Sequence, residues 1–208
     1  EAGRYRQGNS ASVIIPAKKL LSLSAKAYDR HTFKAGGTEV FVSQVRKQTV
    51  MAFRGTTFDG ADIIKDLRAM PWWSKEIGTF VHRGFLVGVR AIWPLLPLTG
   101  HKNPPIVLTG HSKGGAEAIL VGAMLTVLEI PVAQIETFGA PRVGFGGIKK
   151  ILKDIPGKRH RLGDDIVPTV PHRFPLPYRH DRELTEHEAE DENYFSNHKI
   201  SEYKKAIK

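Results

Sequence analysis

The chain has 208 residues, enough for one domain with a full core and cramped for two. It contains no cysteine, which excludes disulfides, zinc–thiolate centres and a thiol nucleophile. Its 31 Lys and Arg against 21 Asp and Glu give a net charge of +10, scattered along the chain rather than gathered in a stripe; a solvated positive surface, an anionic membrane and nucleic acid are the three readings of that excess.

No apolar run reaches the length of a membrane-spanning helix, and the opening EAGRYRQGNS lacks the apolar segment of a secretory leader. The segment 16–28, PAKKLLSLSAKAY, has helical spacing with proline in its first turn. EVFVSQVRKQTVMAFRG reads as two strands with a turn near residues 46–48. A helix is expected over 84–92, before Pro94 and Pro97 interrupt it. PPIVLTG is a short β-branched run closed by glycine, a buried strand. KGGAEAILVGAMLTVLEI follows as a long helix, apolar almost all round and so expected to be buried, stopping before Pro131. Then come a strand at 134–138, a helix around 147–152 and a strand at 158–162. The segment 173–192 turns proline-rich and then acidic, with seven carboxylates from Asp181 to Glu192, and its acidic half reads as a solvated loop rather than a metal site. A last helix follows, with Ser196 or Asn197 as its cap and Ile200, Tyr203 and Ile207 on its apolar face. Strands alternating with helices imply an α/β fold with a mostly parallel sheet.

Chemistry concentrates at the junction of the buried strand and the long helix. Gly110-His111-Ser112-Lys113-Gly114 fits G-x-S-x-G. A sharp strand-to-helix turn there would lift the serine Oγ above the sheet edge, beside the first amides of the helix. A serine hydroxyl is a poor nucleophile by itself, so a base and an orienting acid are required. Asp164 and Asp165 both qualify as the acid, since they follow a strand and precede a turn pinned by proline. Four histidines lie downstream. His172 follows the acids too closely to turn back. His180 sits in a strand-like stretch, where a packed role is favoured, and His187 lies in the acidic loop. His198, at the start of the last helix, can be delivered to the sheet edge, with spacing giving it a modest advantage over His180.

Five stretches in order, FRGT at 53–56, VHRGF at 81–85, GHSKGG at 110–115, TFGAPRVG at 137–144 and DDIVPTVP at 164–171, resemble the class 3 (fungal-type) lipases of the α/β-hydrolase superfamily. A histidine opening HKISEY completes the order, and the resemblance runs from about residue 17 to 203. It implies a single domain over 1–208 with an α/β-hydrolase fold, a parallel sheet flanked by helices, and a lid at about 57–74. It assigns Ser112 as nucleophile, Asp165 as triad acid, His198 as base, and Thr56 and Lys113 as the oxyanion hole. Asp164 falls where the family often has asparagine, and His82 and His180 fall outside the triad. In the lid, Phe58, Ile63, Ile64, Leu67, Trp72 and Trp73 supply apolar material, Gly60 a hinge, and Asp66 a partner for Arg54. Lys113 departs from the apolar or neutral residue common there; its ammonium is expected to reach solvent or Glu117 one turn on.

The activity implied is hydrolysis of carboxylic esters, as a lipase or esterase, with no cofactor or metal and with a lipid or small ester as partner. A phospholipase A1-like enzyme drawn to anionic headgroups is the nearer alternative, and a noncatalytic binding protein of the same fold the more distant. Nucleic acid binding has no motif beyond charge and is not expected. A secreted protein, or one peripheral to a lipid surface, is slightly favoured over a cytoplasmic one.

Overall fold

The computed structural model describes residues 13–56, 70–98, 105–172, 175–190 and 193–208. Helix α1 (Ala17–Asp29) follows Pro16 and turns Leu20, Leu21, Leu23 and Ala27 inward. Strands β1 (Phe33–Ala35), β2 (Thr38–Val45) and β3 (Gln48–Phe53) then form an antiparallel meander. The β2–β3 turn places Arg46 and Lys47 at φ 50° and 63°, the backbone twist that a two-residue hairpin turn needs. A separate hairpin, β4 (Pro71–Ser74) and β5 (Thr79–His82), leads into helix α2 (Arg83–Ile92). The His82 imidazole caps that helix, its Nδ1 accepting from the Gly84 amide at 3.1 Å.

The remaining elements alternate: β6 (Ile106–His111), helix α3 (Lys113–Val127), β7 (Val132–Phe138), helix α4 (Gly146–Ile151), β8 (Arg159–Leu162), β9 (Leu184–His187) and helix α5 (Ile200–Ala206). Among the described residues the main sheet has seven strands in the order β1-β2-β3-β6-β7-β8-β9, and every pairing from β3 onward is parallel. Strand alternation divides the core between its faces. Met51, Phe53, Ile106 and Leu108 join the residues of α2 and α3 on one side, while Val50, Ala52, Val107 and Phe138 meet α1 and α5 on the other. Strands covered on both faces have no polar side, which explains the unbroken burial of β3, β6 and β7. Helix α3 lies in the interior, and only its last two residues and Lys113 escape full burial.

Several expectations need correction. Strand β1 and the β4–β5 hairpin are absent from the sequence reading. The acidic segment is not one loop, since Leu184–His187 pairs with β8 as a parallel edge strand. His187 is tied to His160 Nδ1 at 2.8 Å rather than solvated. His180 is outside any strand, one residue past an isolated bridge at Arg179, and its Nε2 donates to the Pro168 carbonyl at 2.7 Å. The last helix begins at Ile200 with Lys199 at its cap, so His198 lies in the turn before it. Of the expected lid, residues 57–69 lie outside the described residues, along with the proposed Asp66 partner; residues 71–74 are strand β4. Arg54 Nη1 bonds Glu39 at 2.5 Å.

Candidate active site

The site is assembled at the carboxyl ends of β6, β7 and β8, where an open parallel sheet presents its loops. Ser112 links β6 to α3 with φ 57° and ψ −130°, a strained conformation for a residue with a side chain. The strain is held by packing. A Cβ on Gly110 would sit 2.4 Å from the Gly114 carbonyl, and one on Gly114 would sit 2.2 Å from the Phe53 carbonyl, so only glycines let the turn close onto β3. The Ser112 amide donates to the Phe138 carbonyl at 2.9 Å, pinning the turn to β7 as well.

The structure brings Ser112, Asp165 and His198 together. Ser112 Oγ lies 2.8 Å from His198 Nε2, and His198 Nδ1 lies 2.9 Å and 3.0 Å from the two Asp165 oxygens. An ionised carboxylate only accepts, so Nδ1 carries the imidazole proton and Nε2 presents its lone pair to the serine hydroxyl. Asp165 is itself held from two further directions, by the Tyr203 hydroxyl at 2.7 Å and the Val167 amide at 3.0 Å. Burial and the adjacent Asp165 push the Tyr203 hydroxyl well above its ordinary range, so it remains a donor. All four side chains are buried, with Ser112 and Asp165 at 0 % exposure.

The competing residues separate cleanly. Asp164 is exposed, His172 is exposed, and His180 and His187 are engaged elsewhere. His160 and Glu136 form a second buried pair at 2.6 Å, which extends to His187 and lies apart from the serine. Thr56 follows β3 in the loop that Gly114 abuts, and the Lys113 amide heads α3; both stand at the same sheet edge as Ser112. The Lys113 ammonium reaches Glu117 Oε1 at 2.6 Å and the Gly37 carbonyl at 2.9 Å. Among the described residues, no group of three or more His, Cys, Asp or Glu is arranged to hold a metal.

Sequence reasoning took Tyr203 for a packing residue and gave no role to Tyr28 or His111. Tyr28 Oη bonds His111 Nδ1 at 2.7 Å, and His111 Nε2 bonds the His198 carbonyl at 2.8 Å. Nothing in the sequence signals the Tyr28 contact, which spans 83 positions.

Comparison with known proteins decides the family. The profile described as lipase (class 3) matches residues 50–174, more than half of the chain. The chain belongs to the class 3 lipase family. A lipase of Rhizopus niveus is 32 % identical over 144 residues, 64 % of this chain and 37 % of the relative. The toxin TseL of Vibrio cholerae is 37 % identical over 113 residues, 52 % of this chain and 18 % of the toxin. The chain therefore spans well under half the length of these relatives. A solved triacylglycerol lipase whose catalytic centre is a serine protease triad superposes with a TM-score of 0.69 at 25 % identity, covering 84 % of this chain and 79 % of that one. The fold is that of the α/β-hydrolases, and this class 3 lipase domain carries it with a seven-stranded main sheet.

Proposed function

We propose that this chain is a serine carboxylic-ester hydrolase acting as a lipase through Ser112, His198 and Asp165. The observation that carries the reading is the buried line of contacts from Ser112 Oγ through His198 to Asp165. His198 Nε2 takes the hydroxyl proton as Oγ attacks the ester carbonyl. The tetrahedral oxyanion is received by the Lys113 amide and by Thr56, through its amide and hydroxyl. His198 then returns the proton to the leaving alcohol, and a water molecule releases the acyl group by the same steps in reverse. Asp165 keeps the imidazole in the required tautomer and stabilises the imidazolium.

The likeness to lipases from other organisms supports acylglycerols as the substrate class. Segment 57–74 is proposed as the lid, and residues 1–208 as one domain. The charge of +10 and the exposed Trp72, Trp73 and Phe80 of the β4–β5 hairpin favour a second reading, peripheral action on anionic phospholipid. Among the described residues no helix is long and apolar enough to cross a membrane. The test is a panel of p-nitrophenyl esters, triglycerides and phospholipids with Ser112→Ala as control. The variant should fold normally and lose ester hydrolysis, and turnover near the wild-type level would end the triad assignment. Activity on anionic vesicles that falls with salt, while a neutral soluble ester is unaffected, would select the second reading.

A further inference from the structure

Helix α1 carries a polar line into the site. Ser24 and Tyr28 lie one turn apart, and each bonds a residue of β6: Ser24 Oγ meets Thr109 Oγ1 at 3.1 Å, and Tyr28 Oη meets His111 Nδ1 at 2.7 Å. Four helical residues rise about 6 Å and two strand residues about 6.6 Å, so helix and strand match in step over this length.

The direction of the bonds follows from the partners. His111 Nε2 lies 2.8 Å from the His198 carbonyl. A carbonyl only accepts, so Nε2 holds the proton, and Nδ1 must accept from the Tyr28 hydroxyl. The Tyr28 hydroxyl packs directly against Gly55, the residue before Thr56. A line of donors thus runs one way, from Tyr28, packed on Gly55, through His111 to the main chain of the base, each bond polarising the next. No side chain fits at Gly55, where a Cβ would lie 2.2 Å from Tyr28 Oη and 2.7 Å from the His111 carbonyl. The His111 ring is also stacked on the His198 ring, 4.8 Å between centroids. Burial, and secondly the nearby His198, hold His111 well below the ordinary histidine range. It therefore stays neutral against a ring that turns positive during catalysis.

We propose that Tyr28 and His111 are positioning residues that couple the oxyanion loop to the catalytic base, fixing the distance between Thr56 and His198. This inference rests on the catalytic reading of Ser112, Asp165 and His198. Its consequence is that losing either member lowers the chemical step while leaving substrate binding unchanged.

The experiment compares wild type, Tyr28→Phe, His111→Leu, His111→Gln and the Phe/Leu double variant on a soluble p-nitrophenyl ester. Thermal melts and labelling of Ser112 by a fluorophosphonate accompany the kinetics. Glutamine places an acceptor beside a donor, as the neutral imidazole does, whereas leucine has neither. Tyr28→Phe and His111→Leu should each lower kcat about tenfold or more with KM within about twofold, and His111→Gln should return kcat to within about threefold of wild type. The double variant should be no slower than His111→Leu, because the two side chains form one path. The inference is overturned if Phe and Leu both leave kcat within about twofold of wild type, or if their effects simply add. It is overturned as well if the loss follows the melting temperature and glutamine fails to reverse it. Should His111→Leu not fold, Tyr28→Phe and His111→Gln make the same comparison. A wild type that takes no label at Ser112 overturns the catalytic reading and this inference together; a labelled wild type with unaffected variants overturns this one alone.

Discussion

Lys113→Leu isolates the most unusual ionic feature of the molecule. Glu117 is 0 % exposed within helix α3, and both donors that reach it, the Lys113 ammonium and the Thr38 hydroxyl, bond the same oxygen at 2.6 Å. Among the described residues Oε2 has no partner. Removing one partner of a buried ion pair costs about 3–5 kcal/mol, because the other charge is left in the interior. At about 2–4 °C per kcal/mol for a chain of this size, the melting temperature should drop by roughly 6–20 °C. The reverse substitution, Glu117→Leu, should cost much less, since the Lys113 side chain is 26 % exposed and its ammonium can turn to water. The double Leu variant should match or exceed wild type, because a well-packed apolar pair often replaces a buried ion pair with a gain of about 1–4 kcal/mol. Acidity supplies a second axis. Burial pushes the Glu117 carboxyl above its ordinary 4.5, against the pull of Lys113 and Thr38, and loss of Lys113 pushes it further. A carboxyl raised in the folded state binds more protons there than in the unfolded chain, so its contribution to stability falls as pH climbs through the raised value. The Lys113→Leu defect should therefore be smaller near pH ~5 than near pH ~8, read from circular dichroism melts. An equal defect at both, or a double variant no better than the single, would refute the argument.

Other outcomes follow from the same geometry. Thr56→Val keeps the backbone amide and removes the hydroxyl, and kcat on a soluble ester should fall about a hundredfold or more if that hydroxyl meets the oxyanion. An unchanged kcat would confine the role of Thr56 to its main chain. Burial pushes His82 from 6.5 down to about 4, and its Nδ1 is occupied by the Gly84 amide. The unfolded chain takes up that proton first, so stability is lost as pH falls from 6.5 towards about 4. His82→Asn keeps an acceptor for the helix and should flatten that loss in denaturant titrations across the same interval, and an unaltered slope would exclude His82 as its source.

Local patterns carried much of the architecture. Runs rich in β-branched residues such as 106–109, helix-spaced leucines in α1, and the G-x-S-x-G turn each encode their conformation within a few neighbouring residues. The elements that escaped depend on distant partners. Three-residue β1 is a strand because β2 lies beside it, and acidic Leu184–His187 is a strand because β8 offers an open edge. The site divides in the same way. The elbow is written locally. Choosing Asp165 over Asp164, and His198 over three other histidines, needed family order, because the contacts that separate them join positions 33 and 86 residues apart. Lys113 could be matched to Glu117 from helical spacing alone, but the Gly37 carbonyl on the far turn could not.

The spacing of the triad also has a consequence for the order in which the chain is made. Ser112 leaves the ribosome 86 residues ahead of His198, the base of the proposed mechanism. Until residue 198 emerges and the turn before α5 settles against Asp165 and Tyr203, the elbow holds an unassisted hydroxyl. In the proposed mechanism the growing polypeptide is thus chemically inert, and hydrolysis begins when the last of its catalytic parts has docked.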